Sequence, residues 1–122
     1  MTKLATFIFF IGGFHGDSDR VCIENNTLYQ DSPMHEDEPR QPFIKELKLT
    51  DEQINFFWTR LDELEVWNWN KEYHDPDTLD GTQWTLKINK AGKRKLKIFG
   101  SNAYPNNFDD FLTLLNDYIE EK

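Results

Sequence analysis

Side chains that could transfer protons or bind a metal are sparse in this 122-residue sequence. The side chains that ordinarily titrate near neutral pH are three histidines, His15, His35 and His74. None has the H-x-x-x-H or H-E-x-x-H spacing that brings two imidazoles to one face of a helix. All three fall in segments predicted as loops, and we interpret them as surface residues. One alternative stays open: an enzyme with an acid/base or metal site dispersed over loops 12–18 and 70–81, including His15, Asp17 and His74.

A cluster of aspartates suggests a calcium loop, but its spacing departs from the EF-hand pattern. Asp75 and Asp77 are followed by a third aspartate, Asp80, one position too late for a ligand. Pro76 interrupts the run, and no glutamate closes the site. The single cysteine, Cys22, lies in an apolar stretch and is interpreted as a buried small residue. We therefore predict no catalytic residue, no metal site and no cofactor.

Aromatic side chains beside amides form a first candidate binding site. Trp67 and Trp69 alternate with asparagines at the border of a polar segment, and Tyr73 follows shortly after. If this segment is extended, both tryptophans project to the same side. Exposed aromatic rings beside amides can stack on a sugar or contact a protein. Packing into the core is the competing interpretation.

Lysines along one predicted hairpin form a second candidate site. Residues 87–97 hold six positive charges and no negative charge. Lys87, Lys95 and Lys97 fall on the outer side of this hairpin. Such a run is usually a solvated face. The alternative is an anion-binding strip for a phosphate backbone or an acidic partner.

Composition limits the class of protein and of partner. The formal net charge is −8 and the isoelectric point is about 4.8, which disfavours nucleic-acid binding. The length fits one domain over residues 1–122. The apolar run 4–14 is too short to span a bilayer and lacks a small-residue cleavage site. We therefore predict a buried strand there, and a cytoplasmic protein without membrane association.

The lysines are positioned by a predicted hairpin within residues 83–100. Trp84, Leu86 and Ile88 alternate with polar residues, and Leu96 and Ile98 do the same, as expected for strands with one buried face. A three-residue loop over 90–92 keeps the apolar residues on one face. It pairs Leu86 with Leu96 and Trp84 with Ile98, and places Lys87 opposite Lys95.

The rest of the chain is predicted to build a sheet and two helices. A threonine followed by Asp51, Glu52 and Gln53 forms a capping box at Thr50, and residues 25–26 suit a tight turn. Residues 70–80 are predicted as a polar, acidic loop. The other predicted elements are strands over 4–11, 20–24, 28–31 and 43–49, and helices over 50–65 and 106–120. Together they predict an α+β two-layer sandwich: an antiparallel sheet (meander plus C-terminal hairpin) covered on one face by two amphipathic helices.

The second half of the chain contains a recognisable pattern. Asp80-Gly81-Thr82-x-Trp84-x-Leu86-x-Ile88 is followed by Gly100-x-Asn102-Ala103-Tyr104-Pro105-x-x-Phe108. This pattern resembles a recurrent motif of small, functionally uncharacterised bacterial domains, and Trp67-Asn68-Trp69 resembles the tryptophan-rich stretch that precedes it. The resemblance implies an α+β fold and a bacterial origin. It brings no catalytic residues with it.

These observations favour a non-enzymatic protein-binding domain. Small size, strong acidity and the absence of a catalytic pattern fit an immunity-type protein that neutralises a toxin of the same bacterium. An acidic surface would steer toward a basic protein partner. Nucleic acid is disfavoured as a partner because the isoelectric point is low.

Overall fold

A seven-stranded sheet and two helices form the fold in the computed structural model, which describes residues 6–13, 18–24, 26–32, 45–74, 82–89, 95–101 and 103–119. The strands are β1 (Thr6–Gly13), β2 (Ser18–Glu24), β3 (Thr27–Asp31), β4 (Lys45–Lys48), β5 (Glu72–His74), β6 (Thr82–Asn89) and β7 (Leu96–Ser101). The helices are α1 (Asp51–Glu63) and α2 (Phe108–Ile119), with a 3-10 turn at Val66–Asn68. The predicted α+β class is confirmed.

The sheet is mixed, which corrects the prediction of an antiparallel sheet. Its strand order is β4-β3-β2-β1-β6-β7-β5. Neighbouring strands in this order are antiparallel with one exception: the edge strand β5 pairs with β7 in parallel. The sequence prediction assigned residues 70–80 to a loop because Glu72–His74 offers a single apolar residue and hence no alternation. A backbone hydrogen bond from Phe99 N to Lys71 O at 3.0 Å extends this edge pairing.

One face of the sheet carries the core. Phe7 and Phe9 on β1 alternate with half-buried residues, which is the period expected of a strand with one face fully covered. The Phe7 ring lies 5.0 Å from that of Phe57 on α1 and 6.2 Å from that of Phe111 on α2. Both helices therefore pack on the same face of the sheet.

The N-terminal meander follows the prediction. β1 pairs with β2, and β2 with β3, each in antiparallel register. Glu24 pairs with Thr27, so the β2–β3 turn has two residues, and Asn26 adopts the left-handed conformation with φ 61°. Asparagine tolerates this region because its short side chain can hydrogen-bond locally. The predicted turn is confirmed, although Asn25 itself lies outside the described residues.

The β6–β7 register differs from the prediction by two residues. Leu86 pairs with Ile98 and Ile88 with Leu96, so Lys87 opposes Lys97 instead of Lys95. A two-residue displacement keeps every side chain on its predicted face, because side chains alternate with a period of two. The alternation therefore could not reveal the error. Residues 90–95 connect the two strands. Of these, 90–94 lie outside the described residues, and the predicted three-residue loop over 90–92 lies there too.

The two helices run antiparallel and are joined at both ends. Helix α1 begins at the predicted capping box: Gln53 N donates to Thr50 Oγ1 at 3.0 Å, and Thr50 N donates to Gln53 Oε1 at 2.8 Å. Tyr118 near the end of α2 donates its hydroxyl to Gln53 O at 2.6 Å and packs its ring 5.4 Å from Phe57. No helix among the described residues is long and apolar enough to cross a membrane.

Candidate functional site

Trp84 on β6 is the centre of an aromatic cluster. Its side chain is fully buried, and its indole Nε1 donates to the backbone oxygen of Ala103 at 3.0 Å. The ring contacts five others, with centroid distances between 4.8 and 6.4 Å: Phe9, Trp69, Tyr73, Tyr104 and Phe108. This cluster fixes the segment between β7 and α2 against the sheet.

The Trp84 indole packs directly on Gly100, with no room for a side chain there. The two residues form a cross-strand pair on β6 and β7. A Cβ atom at Gly100 would lie 2.0 Å from Trp84 Nε1 and 2.2 Å from Cε2, distances that no packed atoms tolerate. Five residues of the recognised pattern therefore have a packing role: Trp84, Gly100, Ala103, Tyr104 and Phe108. Three other residues of the pattern, Asp80, Gly81 and Asn102, lie outside the described residues.

The three residues of the predicted aromatic site make hydrogen bonds within the chain and pack against the core. Trp67 donates its indole N–H to Asp62 Oδ1 at 2.8 Å, and Trp69 donates to Asn107 Oδ1 at 3.1 Å. The Tyr73 hydroxyl accepts the Asn70 N–H at 3.0 Å, while the Tyr73 ring lies against Trp84. The expected extended segment is a 3-10 turn. Both tryptophans and Tyr73 are half-buried against the core.

Asn107, just before α2, connects three parts of this region. Its Oδ1 accepts the Trp69 indole N–H, and its Nδ2 donates to Leu64 O at 2.7 Å. Leu64 is the C-terminal cap of α1, where helix carbonyls lack partners within the helix. One amide thus joins the end of α1, the 3-10 turn and the start of α2.

Replacing Asn107 with alanine is expected to lower the free energy of unfolding by about 2 to 3 kcal/mol, because two partly buried hydrogen bonds are lost and their partners remain. Urea unfolding measures the change. Asn116→Ala, at an exposed position on α2, is the matched control and should stay within about 0.5 kcal/mol of the parent. Equal losses for the two variants would show that the amide bridge contributes nothing.

The predicted lysine site lies on the opposite face of the sheet from the tryptophans. Lys87 is half-buried, whereas Lys95 and Lys97 are exposed. Lys87 and Lys97 are direct cross-strand neighbours. The structure therefore does not bring the two predicted binding sites together. Trp69 and Tyr73 contact Trp84 on the helix side of the sheet.

Exposed carboxylates cover the helix layer, a feature that the sequence analysis missed. We call this set the acidic helix surface: Asp51, Glu52, Asp62, Glu63, Glu65, Asp109, Asp110 and Asp117. Arg60 is the basic residue of the two helices, and its guanidinium pairs with Glu63. Net charge alone did not reveal this surface, because it does not tell which carboxylates share a face. Helical spacing of the apolar residues could have located it.

Phe56 lies within the acidic helix surface. It is 56% exposed on α1, more than the other exposed large apolar side chains in the described chain. Glu52 is four residues before it and Glu63 seven after it, so both flank Phe56 on the same side of the helix. Phe57 and Trp58, the next two residues, are buried. Phe56 is thus a large apolar ring presented to solvent on the side of α1 that also carries Glu52, Glu63 and Arg60, whose guanidinium pairs with Glu63.

A groove opens where α2 begins, beside the end of β1 and the start of β6. Its volume is about 390 Å³. Its lining residues are Ile11, Thr82, Tyr104, Pro105, Asn106, Phe108, Asp109 and Leu112. Tyr104 is 41% exposed, and its ring is nearly parallel to the Trp84 ring at 6.4 Å. Because Asp109 belongs to both, the groove adjoins one end of the acidic helix surface.

The enzymatic alternative depends largely on residues outside the described ranges. His15 and Asp17 are among them, as is segment 75–81 of the second loop. His74 is described, and its side chain is exposed on the edge strand β5. Within the described ranges, no three His, Cys, Asp or Glu side chains are grouped so that they could hold a metal ion.

Comparison with known proteins gives no further assignment. The chain matches no protein-family model, and a search of curated proteins finds no relative. The resemblance to small bacterial domains therefore stays a prediction. The class that the fold defines is an α+β domain with a mixed sheet and a helix layer on one face.

Proposed function

We propose that this chain is a non-enzymatic protein-binding domain that binds a basic protein through its acidic helix surface. The observation that carries the proposal is Phe56, a half-exposed aromatic ring flanked by Glu52 and Glu63 on a helix whose other aromatic residues are buried. Burial of a solvent-exposed phenylalanine on binding would supply apolar contact area. The surrounding carboxylates would supply charge complementarity.

The charge distribution supports a basic partner. The carboxylates of α1, α2 and the 3-10 turn that follows α1 lie on the solvent side of one layer, with Arg60 as the single counter-charge within the two helices. A surface of one sign raises the association rate of an oppositely charged protein and repels partners of like charge. The chain as a whole carries −8, which acts in the same direction.

The most specific form of the proposal is an immunity-type inhibitor of a basic bacterial toxin. An inhibitor of this kind needs a stable scaffold and a recognition surface, but no catalytic group. The densely packed aromatic core gives the scaffold, and the acidic helix surface gives the recognition surface. A bacterial origin and a cytoplasmic location belong to the same proposal.

The test begins with capture of partners by the tagged protein from lysate of its own organism, followed by binding kinetics with the retained protein. Phe56→Ala is expected to weaken binding about 30-fold, as for an interface residue worth roughly 2 kcal/mol. The double variant Glu52→Lys/Glu63→Lys is expected to lower the association rate at least tenfold, with a reduced dependence on salt.

The matched control is Glu46→Lys/Glu72→Lys, which makes the same change in net charge at exposed positions of the edge strands β4 and β5. This control should bind within about twofold of the parent. If both double variants weaken binding equally, overall charge acts and the helix surface is not the contact. Retention of an acidic protein or of nucleic acid would contradict the proposal directly.

A further inference from the structure

We infer that the groove beside Tyr104 accepts an arginine side chain of the basic partner, an inference that rests on the proposed function for its biological occupant. The groove combines apolar walls, an exposed aromatic ring and one carboxylate. An arginine side chain complements these three features with a methylene stem, a planar guanidinium and a positive charge.

The apolar walls suit the methylene stem. Ile11 and Leu112 are partly buried and pack against the core, and the buried Phe108 also lines the groove. Long cationic side chains bury their stems along apolar surface while the charged end stays near solvent or a counter-ion. A volume of about 390 Å³ lies at the small end of the range for ligand pockets, so it suits one side chain better than a folded segment.

The aromatic ring and the carboxylate suit the guanidinium. The Tyr104 ring centroid lies 6.4 Å from that of Trp84 and 4.9 Å from that of Phe108, and the residue is 41% exposed, so part of it is available to a ligand. Guanidinium groups stack on aromatic faces and pair with carboxylates through two parallel hydrogen bonds. Asp109 is the charged residue among the described lining residues, and it is exposed.

The same chemistry disfavours other occupants. An anion would be repelled by Asp109 and by the neighbouring Asp110. A purely apolar side chain would desolvate the Asp109 carboxylate without giving it a partner. A lysine could pair with Asp109, but its compact ammonium stacks less well than the planar guanidinium. Arginine is therefore the side chain that uses both the ring and the carboxylate.

Asp109 and Tyr104 also have structural roles, so the test must separate a loss of arginine binding from a loss of stability. Asp109 lies in the first turn of α2, where a negative charge favours the helix dipole. Tyr104 packs on the Trp84 cluster. The experiment therefore varies the charge of the ligand on the unchanged protein, and then varies the protein.

The probe is the blocked tripeptide acetyl-Gly-Arg-Gly-amide, titrated into the full chain and followed by amide chemical shifts. The comparison peptide contains citrulline, which keeps the planar shape of arginine but has no charge. We expect millimolar binding of the arginine peptide, with the largest shifts at Tyr104, Asn106 and Asp109. The citrulline peptide should bind at least fivefold more weakly.

Asp109→Asn should reduce binding of the arginine peptide to the level of citrulline. Glu46→Gln is the matched control, because this exposed carboxylate on the edge strand β4 belongs neither to the groove nor to the acidic helix surface. It should leave the affinity within about twofold. Equal binding of the two peptides, shifts that map away from the groove, or equal effects of the two variants would each overturn the inference.

The result is separable from that of the proposed function. Phe56→Ala lies outside the groove, so it should leave peptide binding unchanged while it weakens binding of the protein partner. If the arginine peptide does not bind in the groove, the helix-surface variants should still weaken binding of the protein partner as expected. Conversely, failure to retain any basic protein would count against the proposed function and not against peptide binding in the groove.

Discussion

Replacing Gly100 with alanine is expected to lower the free energy of unfolding by about 4 kcal/mol. A new Cβ would lie 2.0 Å from Nε1 and 2.7 Å from Cδ1 of Trp84, so the indole must move by more than 1 Å. That movement displaces a fully buried ring and breaks its hydrogen bond to Ala103 O. Overpacking of a core typically costs about 1–3 kcal/mol, and a buried donor left unsatisfied costs a similar amount.

Urea unfolding and near-ultraviolet circular dichroism measure this effect. The control is a double-mutant cycle with Trp84→Leu, which removes the atoms that the new methyl group meets. In that background the Gly100→Ala change should cost much less than it does in the parent, giving a strongly favourable coupling between the two positions. An alanine variant within 1 kcal/mol of the parent, with an unchanged aromatic spectrum, would show that the ring is not held against Gly100.

Local patterns allowed much of the fold to be predicted from the sequence. The capping box at Thr50 involves neighbours in the chain, so its chemistry can be read without knowing the tertiary structure. The turn at Asn26 is equally local. The alternation along β6 correctly predicted which residues face the core, because the covered face is set by the two-residue period.

Features that depend on pairing between distant segments could not be predicted in the same way. The β6–β7 register was wrong by two residues because both registers bury the same face. The parallel strand β5 was missed because three residues pair with β7 through their backbone, whatever their side chains. Pairing of this kind leaves almost no trace in hydrophobic periodicity.

The candidate site shows the same limit. The asparagines around Trp67 and Trp69 in the sequence favour a binding surface, with packing into the core as the competing interpretation. In the structure, their indole N–H groups are satisfied by Asp62 and by Asn107, a residue 38 positions away from Trp69. A hydrogen-bond partner so distant in the chain cannot be predicted from the sequence around the tryptophan. The acidic helix surface was within reach, since the apolar spacing of α1 already separates its solvent side from its buried side.

The second large effect is expected at a buried ion pair on the sheet face away from the helices. Arg20 on β2 and Asp31 on β3 are direct cross-strand neighbours. Arg20 Nε donates to Asp31 Oδ1 at 2.9 Å, and Nη2 donates to Oδ2 at 2.5 Å. Their side chains are 7% and 4% exposed. Such a two-bond pair is among the stronger charge-assisted arrangements.

Arg20→Met is expected to lower the free energy of unfolding by about 3–5 kcal/mol, because it removes both donors that Arg20 gives to a buried carboxylate. The double variant Arg20→Met/Asp31→Leu should be less destabilised than this single variant, since it removes the buried charges together. Arg60→Met is the matched control at the exposed Arg60–Glu63 pair. It should change the free energy by less than about 1 kcal/mol.

The comparison of the three variants decides what the buried pair does. If the double variant is nearly as stable as the parent, the pair contributes specificity of the β2–β3 register more than stability. If it is as destabilised as Arg20→Met, contacts of these side chains beyond the pair contribute to stability. If Arg20→Met costs no more than Arg60→Met, the Arg20–Asp31 pair contributes no more to stability than an exposed pair does.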